Sequence, residues 1–199
     1  MASEQDTSLA AADIYAESLL ELADERGIAE ELFGEFESLV AYIESDEGFA
    51  GFLASSAVDD DDRRESLRRI FAGRISEILL NLLLVLNDHN RAGIVPLVFD
   101  RFKARFDEQH NRQDVYVASA VPLDDDQRAE IGAGVSAAIG KEAVLVERVD
   151  PELLGGLIIK VGDTQFDGSL RRKLARMREF VKERGRQEIL SGKHDFWVD

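Results

Sequence analysis

The chain has 199 residues, 45% of them hydrophobic, with 40 acidic and 24 basic side chains and a net charge of -16. This balance is typical of a folded globular protein and excludes wholesale disorder. Cysteine is absent, which excludes disulfides and thiolate metal sites. The longest apolar run, residues 78–86, is interrupted by Asn81 and is far shorter than the ~20 residues that a bilayer span needs, so no membrane insertion is expected.

The negative charge is concentrated at one end of the chain. Residues 1–62 hold 18 acidic side chains and a single basic one, Arg26, for a net charge of -17, whereas residues 63–199 have a net charge of +1. This distribution disfavours nucleic acid or an anionic membrane as a partner of the first part. Two interpretations stay open: the charge gives solubility, or it forms a docking surface for a basic segment.

Apolar residues recur at spacings of three and four through the first 110 residues, which predicts a compact bundle of six helices joined by short loops. The first helix ends near Gly27, and the run at 59–62 supplies an N-cap and acidic residues for the fourth. Pro96 is tolerated in the first turn of the sixth helix. The predicted apolar stripes lie at residues 12–23, 32–43, 49–53, 67–71, 75–86 and 98–106.

The predicted fifth helix, residues 75–88, has apolar side chains around most of its circumference. Leu80, Leu84 and Val85 lie outside the main stripe of that helix. A helix that is apolar nearly all round must be covered nearly all round. It is therefore either the central helix of the bundle or one wall of a groove that receives an apolar segment from another chain.

The periodicity changes after Asn111. Alternating residues predict strands at 114–118, 143–149, 157–161 and 164–166, and a helix follows Asp124, which has Gln127 at capping-box spacing and Gly140 as a stop. A last helix is predicted from Leu170 to Arg184. The fold class is thus mainly α: a helical domain over residues 1–110, then a small α+β domain of about four strands and two helices over 111–184. Residues 185–199, which include Trp197, form a tail to which the sequence gives no role.

The sequence gives no support for an enzyme, a cofactor or a metal site. His89, His110 and His194 are scattered and are interpreted as capping or solvent-facing residues. The glycines around 155–162 flank a strand and lack the Gly-Lys-Ser/Thr of a phosphate loop, so turn formation is the preferred interpretation. The acidic runs at 59–62 and 124–126 lack calcium-loop spacing and are interpreted as helix caps.

Residues 149–174, VDPELLGGLIIKVGDTQFDGSLRRKL, carry a specific pattern of glycines and a capping turn. The stretch resembles the signature of the delta subunit family of F-type ATP synthases, whose mitochondrial counterpart is the oligomycin-sensitivity-conferring protein. Weaker matches at 15–16, 81–82 and 117–123 extend the resemblance over about residues 9–182. The matching signature positions are Asp150, Leu154, Gly155, Gly156, Gly162, Asp167, Gly168, Ser169 and Leu174.

These signature residues are interpreted as scaffold. Gly155 and Gly156 would allow a sharp entry into a strand, and Gly162 and Gly168 are predicted to occupy turns with positive φ. Ser169 is predicted to cap the last helix. That helix departs from the family pattern in its strongly basic character, with eight Arg or Lys between residues 170 and 186.

The resemblance implies a non-catalytic stator subunit at the cytoplasmic face of a bacterial cell membrane, within a hetero-oligomeric complex; the first residues, which lack a secretory or transit signal, also favour a cytoplasmic location. In this family the helical domain binds N-terminal segments of the alpha subunits, and the C-terminal domain binds the C-terminal helices of the b subunits. The alpha site is a groove between the first and fifth helices. Carried over to this chain, it comprises Tyr15, Ser18, Leu19, Asn81 and Val85. Tyr15 has an alternative interpretation as a core residue with its hydroxyl at the rim.

A regulatory helical protein that binds RNA through the basic last helix is the alternative hypothesis. Its eight cations favour that function, whereas the absence of interleaved aromatic residues and the overall charge oppose it.

Overall fold

The computed structural model describes residues 2–55 and 57–190. The chain divides into two compact units, Met1–His110 and Asn111–Asp199, which we call the helical unit and the α/β unit. Over the described residues the protein is mainly helical, with eight α-helices and one four-stranded mixed sheet. Each unit has its own hydrophobic core.

The helical unit contains six α-helices and a short 3₁₀ turn at Ala92–Ile94 among its described residues. The fifth helix begins at Glu77, slightly later than predicted, because Ser76 caps it and accepts a hydrogen bond from the Leu79 amide at 3.4 Å. The predicted N-cap in the 59–62 run is confirmed, since the Asp59 carboxylate accepts a hydrogen bond from the Asp61 amide. The predicted end of the first helix is confirmed as well: α1 ends at Arg26, and Gly27 has a φ of +67°. The helices are α1 (Ala2–Arg26), α2 (Ala29–Ser45), α3 (Glu47–Ala54), α4 (Asp60–Phe71), α5 (Glu77–Asp88) and α6 (Val95–Gln109).

A single cluster of buried side chains, drawn from all six helices, forms the core of the helical unit. Its centre is aromatic, since phenylalanines of α2 pack against those of α6. The ring centroids of Phe33 and Phe106 are 4.6 Å apart, and those of Phe36 and Phe99 are 5.1 Å apart. Such pairs add about 0.5–1.5 kcal/mol each to the free energy gained from burial alone.

The α/β unit is a four-stranded sheet in the order β2-β1-β3-β4. β1 pairs with β2 in parallel, and α7 is the connection between these two strands; the other two pairs are antiparallel. The predicted capping box is confirmed: the Gln127 amide donates to Asp124 at 2.7 Å, and Gly140 ends the helix with a φ of +69°. The elements are β1 (Arg112–Ser119), α7 (Asp125–Ile139), β2 (Glu142–Val149), β3 (Leu157–Val161), β4 (Thr164–Asp167) and α8 (Leu170–Leu190).

Alternation along β1 places Val115 and Val117 in a small core with Leu123. Ile131 and Val135 of α7 pack against these residues, so α7 covers one face of the sheet.

The helix α8 is longer than predicted and extends to Leu190 instead of ending at Arg184. Gly185 does not end the helix, because a glycine inside a helix costs only about 1 kcal/mol relative to alanine. Residues 185–190 of the predicted tail are therefore helical. Residues 191–199, which include His194 and Trp197, lie outside the described part of the chain.

The separate cores predict that a fragment of residues 1–110 folds without the rest of the chain. We expect a strongly helical circular dichroism spectrum and a single cooperative melt, because the buried residues of this core all come from within the fragment. A fragment that is unfolded at a temperature where the full chain is stable would contradict this expectation.

Candidate partner-binding surfaces

The helix α5 is enclosed by the rest of the helical unit, as expected for a central helix. Seven of its twelve residues are buried, and Leu84, which lies outside the main apolar stripe, is among them. Two residues one helical turn apart, Asn81 and Val85, remain exposed. Glu77 and Asp88 are also exposed, but Val85 is the one exposed apolar residue of α5 and retains 42% of its surface.

The predicted groove residues of α1 differ in their accessibility. Ser18 is exposed, Tyr15 is half-buried and packs against the core, and Leu19 is only 5% exposed. Helices α1 and α5 are in contact. Of the five predicted groove residues, Ser18, Asn81 and Val85 are therefore exposed, Tyr15 is half-buried and Leu19 is buried.

Polar contacts fix α5 against α4. Arg63 is buried, with 3% exposure, and donates to the Asn87 side chain at 3.2 Å and to the Val58 carbonyl at 3.1 Å. Asn87 in turn donates to the Asp60 carbonyl at 2.8 Å. Near the surface Arg64 pairs with Asp88, and the hydrogen bond from this arginine holds the pKa of the Asp88 carboxyl below its usual value. The exposed Asn81 and Val85 thus lie on a helix whose position is determined by buried hydrogen bonds.

The helical unit is acidic as a whole, with 24 acidic and 10 basic residues. Some of the α1 acids are paired with α6: Glu17 lies 3.3 Å from Arg105, and Asp24 accepts a hydrogen bond from Gln109 at 2.8 Å. Such surface pairs contribute little to stability. Because acidic residues outnumber basic ones, the surface of the helical unit stays negatively charged despite these pairs.

In the α/β unit two adjacent glycines allow the chain to pass beneath the start of α8. Gly155 and Gly156 have φ values of +142° and +84°. A Cβ at Gly156 would lie only 2.5 Å from the Gly168 carbonyl oxygen, and one at Gly155 would lie 2.8 Å from a methyl carbon of Leu170. The predicted role of these glycines in a sharp entry into β3 is confirmed, and the reason is both conformation and close approach.

The two other predicted turn glycines differ from each other. Gly162 has a φ of +53°, as predicted. The prediction of a positive φ at Gly168 is wrong, because this residue is absent from the positive-φ glycines of the described chain. Its small size is required by packing: a Cβ there would lie 3.2 Å from the Leu157 carbonyl oxygen, which accepts the Gly168 amide hydrogen bond.

Asp167 and Ser169 form the turn that starts α8. The Ser169 amide donates to Asp167 at 2.9 Å, and the Arg172 amide donates to the Ser169 hydroxyl at 3.3 Å, so the predicted cap is confirmed. Hydrogen bonds from the Ser169 hydroxyl and amide hold the pKa of Asp167 below its ordinary value, with help from Arg172 and Arg176.

The remaining signature residues lie just before β3. Asp150 accepts a hydrogen bond from the Glu152 amide at 3.0 Å and forms a local turn. Leu154 is 68% exposed and lines a cavity of about 700 Å³ together with Val121 and Leu123. This cavity could not be predicted from the pattern of residue types. Its existence depends on where the β1–α7 connection lies relative to residues 154–157.

The described residues contain no group of His, Asp or Glu that could hold a metal ion. His89 is exposed at the end of α5, and His110 stacks on Phe106 at 4.0 Å while its Nδ1 lies 2.9 Å from the Phe106 carbonyl oxygen. In the part of the chain described, none of the helices has the length and apolar character needed to cross a bilayer.

Comparison with known proteins identifies a family to which the sequence is similar. Residues 11–180 match the family described as ATP synthase delta (OSCP) subunit. The ATP synthase subunit delta of Symbiobacterium thermophilum is 34% identical over 83% of this chain and 89% of its own length. That of Chlorobium luteolum is 32% identical over 86% of this chain and 95% of its own length.

A chain of the Toxoplasma gondii mitochondrial ATP synthase hexamer has the same fold. It superposes with a TM-score of 0.62 at 22% identity, over 85% of this chain and 96% of that chain. The protein thus has the fold of a helical unit followed by an α/β unit. The chain belongs to the delta (OSCP) subunit family of F-type ATP synthase, whose members are non-catalytic components of the peripheral stalk in a membrane-associated, hetero-oligomeric complex. The family resemblance predicted from residues 149–174 is confirmed.

Gly155 and Gly156 give a first prediction for the α/β unit. Gly156→Ala should lower the free energy of unfolding by at least about 2 kcal/mol, because the new methyl group meets backbone atoms at a positive φ. Gly134→Ala in α7 is the matched control: it meets no atom within 4 Å, and alanine is favoured in a helix, so stability should stay equal or rise. Urea unfolding of both variants measures the difference. Equal stabilities would show that the close approach has no energetic consequence.

A second prediction for the α/β unit concerns the pH dependence of its stability. Because the pKa of Asp167 is lowered in the folded protein, its stabilising effect is complete above the unfolded-state pKa of about 4 and is lost as the pH falls through the folded value. Urea unfolding at a series of pH values should show wild type more stable than Asp167→Asn at neutral pH. The difference should shrink toward pH 3. A difference independent of pH would mean that the charge of Asp167 does not contribute.

Proposed function

We propose that this chain is the brace between the catalytic head of the ATP synthase and its membrane-anchored stalk, on the cytoplasmic face of the membrane. The helical unit, acting as one six-helix bundle, binds N-terminal segments of the alpha subunits, and the α/β unit binds the C-terminal helices of the b subunits. The observation that carries the proposal for the helical unit is the exposure of an apolar residue, Val85, together with Asn81, on a helix with seven of its twelve residues buried.

The alpha segment is proposed to bind as an amphipathic helix in the groove between α1 and α5, with contacts to Tyr15, Ser18, Asn81 and Val85. A helix laid against Val85 and the Tyr15 ring would remove both from water, while Ser18 and Asn81 would hydrogen-bond at the rim. Leu19 is buried and keeps the floor of the groove in place. In this arrangement Tyr15 would have both of its predicted roles, since it packs against the core and is only half-buried.

Apolar burial and charge contribute differently to this binding. Burial stabilises by about 25 cal/mol per Å² of apolar surface, and this gain is opposed by the cost of ordering the segment. The acidic surface of the helical unit attracts a basic segment and mainly speeds the encounter, an effect that salt screens. The affinity therefore depends on a few side chains and the association rate on many.

The mechanical requirement of a stator explains why one chain joins two binding units. The connection must persist while the central rotor turns, since otherwise the head would rotate with the rotor and no ATP would be made. Each bound unit holds the other close to its partner at a high effective concentration. Two moderate affinities in one chain therefore give an attachment that dissociates more slowly than either unit alone.

Val85→Asp tests the groove. It should weaken binding of an alpha N-terminal peptide by at least about 2 kcal/mol, because it places a charge against an apolar surface. Ala41→Asp adds the same charge at an exposed residue of α2 outside the groove and should have little effect. Surface plasmon resonance with immobilised peptide gives both rate constants.

The same experiment at about 0.05 M and 0.5 M salt separates the two contributions, since higher salt should chiefly slow association. If both variants bind as wild type does, the alpha site lies elsewhere on the protein. If salt changes only the dissociation rate, the acidic surface does not guide the encounter.

A further inference from the structure

The helix α8 extends from the α/β unit without being covered by it. Every side chain described from Leu170 to Arg184 is exposed. Five of these residues are large and apolar, with exposures between 45% and 68%: Leu170, Leu174, Met177, Phe180 and Val181. An apolar stripe of this length on a free helix is a candidate interface, because nothing else in its unit removes it from water.

Four of these residues follow the spacing of a coiled coil. Leu170, Leu174, Met177 and Val181 are separated by four, three and four positions, which is the alternation of a and d positions in a heptad. They form a stripe about 60° wide, narrower than the face of 100° or more by which a helix packs on a globular core. We call these four residues the α8 seam. Its width fits one partner helix.

Cations flank the α8 seam on both sides. Arg171 and Arg178 lie on one side and Lys173 on the other, at the positions from which e and g residues reach a partner helix. Within the described part of the chain these three cations make no ion pair, whereas Lys182 pairs with Glu179 at 3.1 Å. The seam therefore presents unpaired positive charge beside an apolar line.

The start of α8 is held by contacts with the α/β unit, although the rest of the described helix is exposed. The Leu170 amide donates to the Gly155 carbonyl at 2.9 Å, and Ser169 beneath it is buried. The direction of α8 is thus set by the glycine corner of residues 155–168.

We propose that the α8 seam is the part of the α/β unit that binds the stalk, and that its occupant is an acidic amphipathic helix of the b subunit with its own heptad stripe. This inference rests on the proposed function. A second copy of α8 would bring like charges together at the flanking positions, which disfavours self-association. RNA and anionic membranes would meet the acidic remainder of the chain, which has 37 acidic and 16 basic residues outside α8. A membrane-surface helix also has a broader apolar face.

The test uses the full chain and the soluble part of the b subunit from the same organism. The double variant Leu174→Asp, Met177→Asp should weaken b binding at least about 30-fold, because it buries charge in an apolar contact. Ala175→Asp is the matched control, since it adds a charge to the same helix outside the seam, and its affinity should stay within about threefold of wild type. Both variants should melt like wild type, because the altered residues are exposed.

The outcomes separate the inference from the proposed function. Binding of b by wild type and double variant alike would overturn the α8 seam and leave the stalk function standing, whereas failure of wild type to bind b would overturn both. The same proteins are titrated with poly(U) RNA and with phosphatidylglycerol vesicles. Binding to either that exceeds b binding and is lost in the double variant would overturn the acidic helix as occupant. Seam-dependent binding to b alone supports it.

Discussion

The organisation of the helical unit depends on the burial of one strongly apolar helix, α5. The other helices cover its leucines on nearly all sides and leave Asn81 and Val85 accessible. Buried hydrogen bonds of Arg63 and Asn87 then fix α5 relative to α4. The binding strip that we propose on this helix would be preorganised, so little free energy would be lost in ordering it when a partner binds.

In the α/β unit a corner of glycines, and not a buried helix, fixes the element to which we assign partner binding. Its glycine corner lets the backbone before β3 pass within contact distance of the start of α8, where a larger residue would clash. Asp167 and Ser169 complete the corner and start the helix. The signature residues of this region therefore have a structural role, and they position an exposed amphipathic helix. In the proposed function, each unit would present one narrow binding surface to its partner.

Local signals in the sequence were sufficient to predict most of the fold. Asp124 with Gln127, and the stops at Gly27 and Gly140, mark element ends through contacts within a few residues. Two features depended on distant neighbours and could not be predicted. Gly168 is small because of Leu157, eleven residues earlier in the chain, and not because of its own φ. Leu19, which was predicted to line the groove, is buried in the core of the helical unit, and this burial depends on the helices packed around it.

The claim that this chain is a mechanical connection is tested most directly by cutting it in place. A protease site inserted between His110 and Asn111, at the boundary of the two units, would be cleaved after assembly of the ATP synthase in membrane vesicles. We expect proton-driven ATP synthesis to fall on cleavage while ATP hydrolysis by the head continues, since each unit stays with its partner and only the link is lost. ATP synthesis that persists undiminished after complete cleavage would contradict the account.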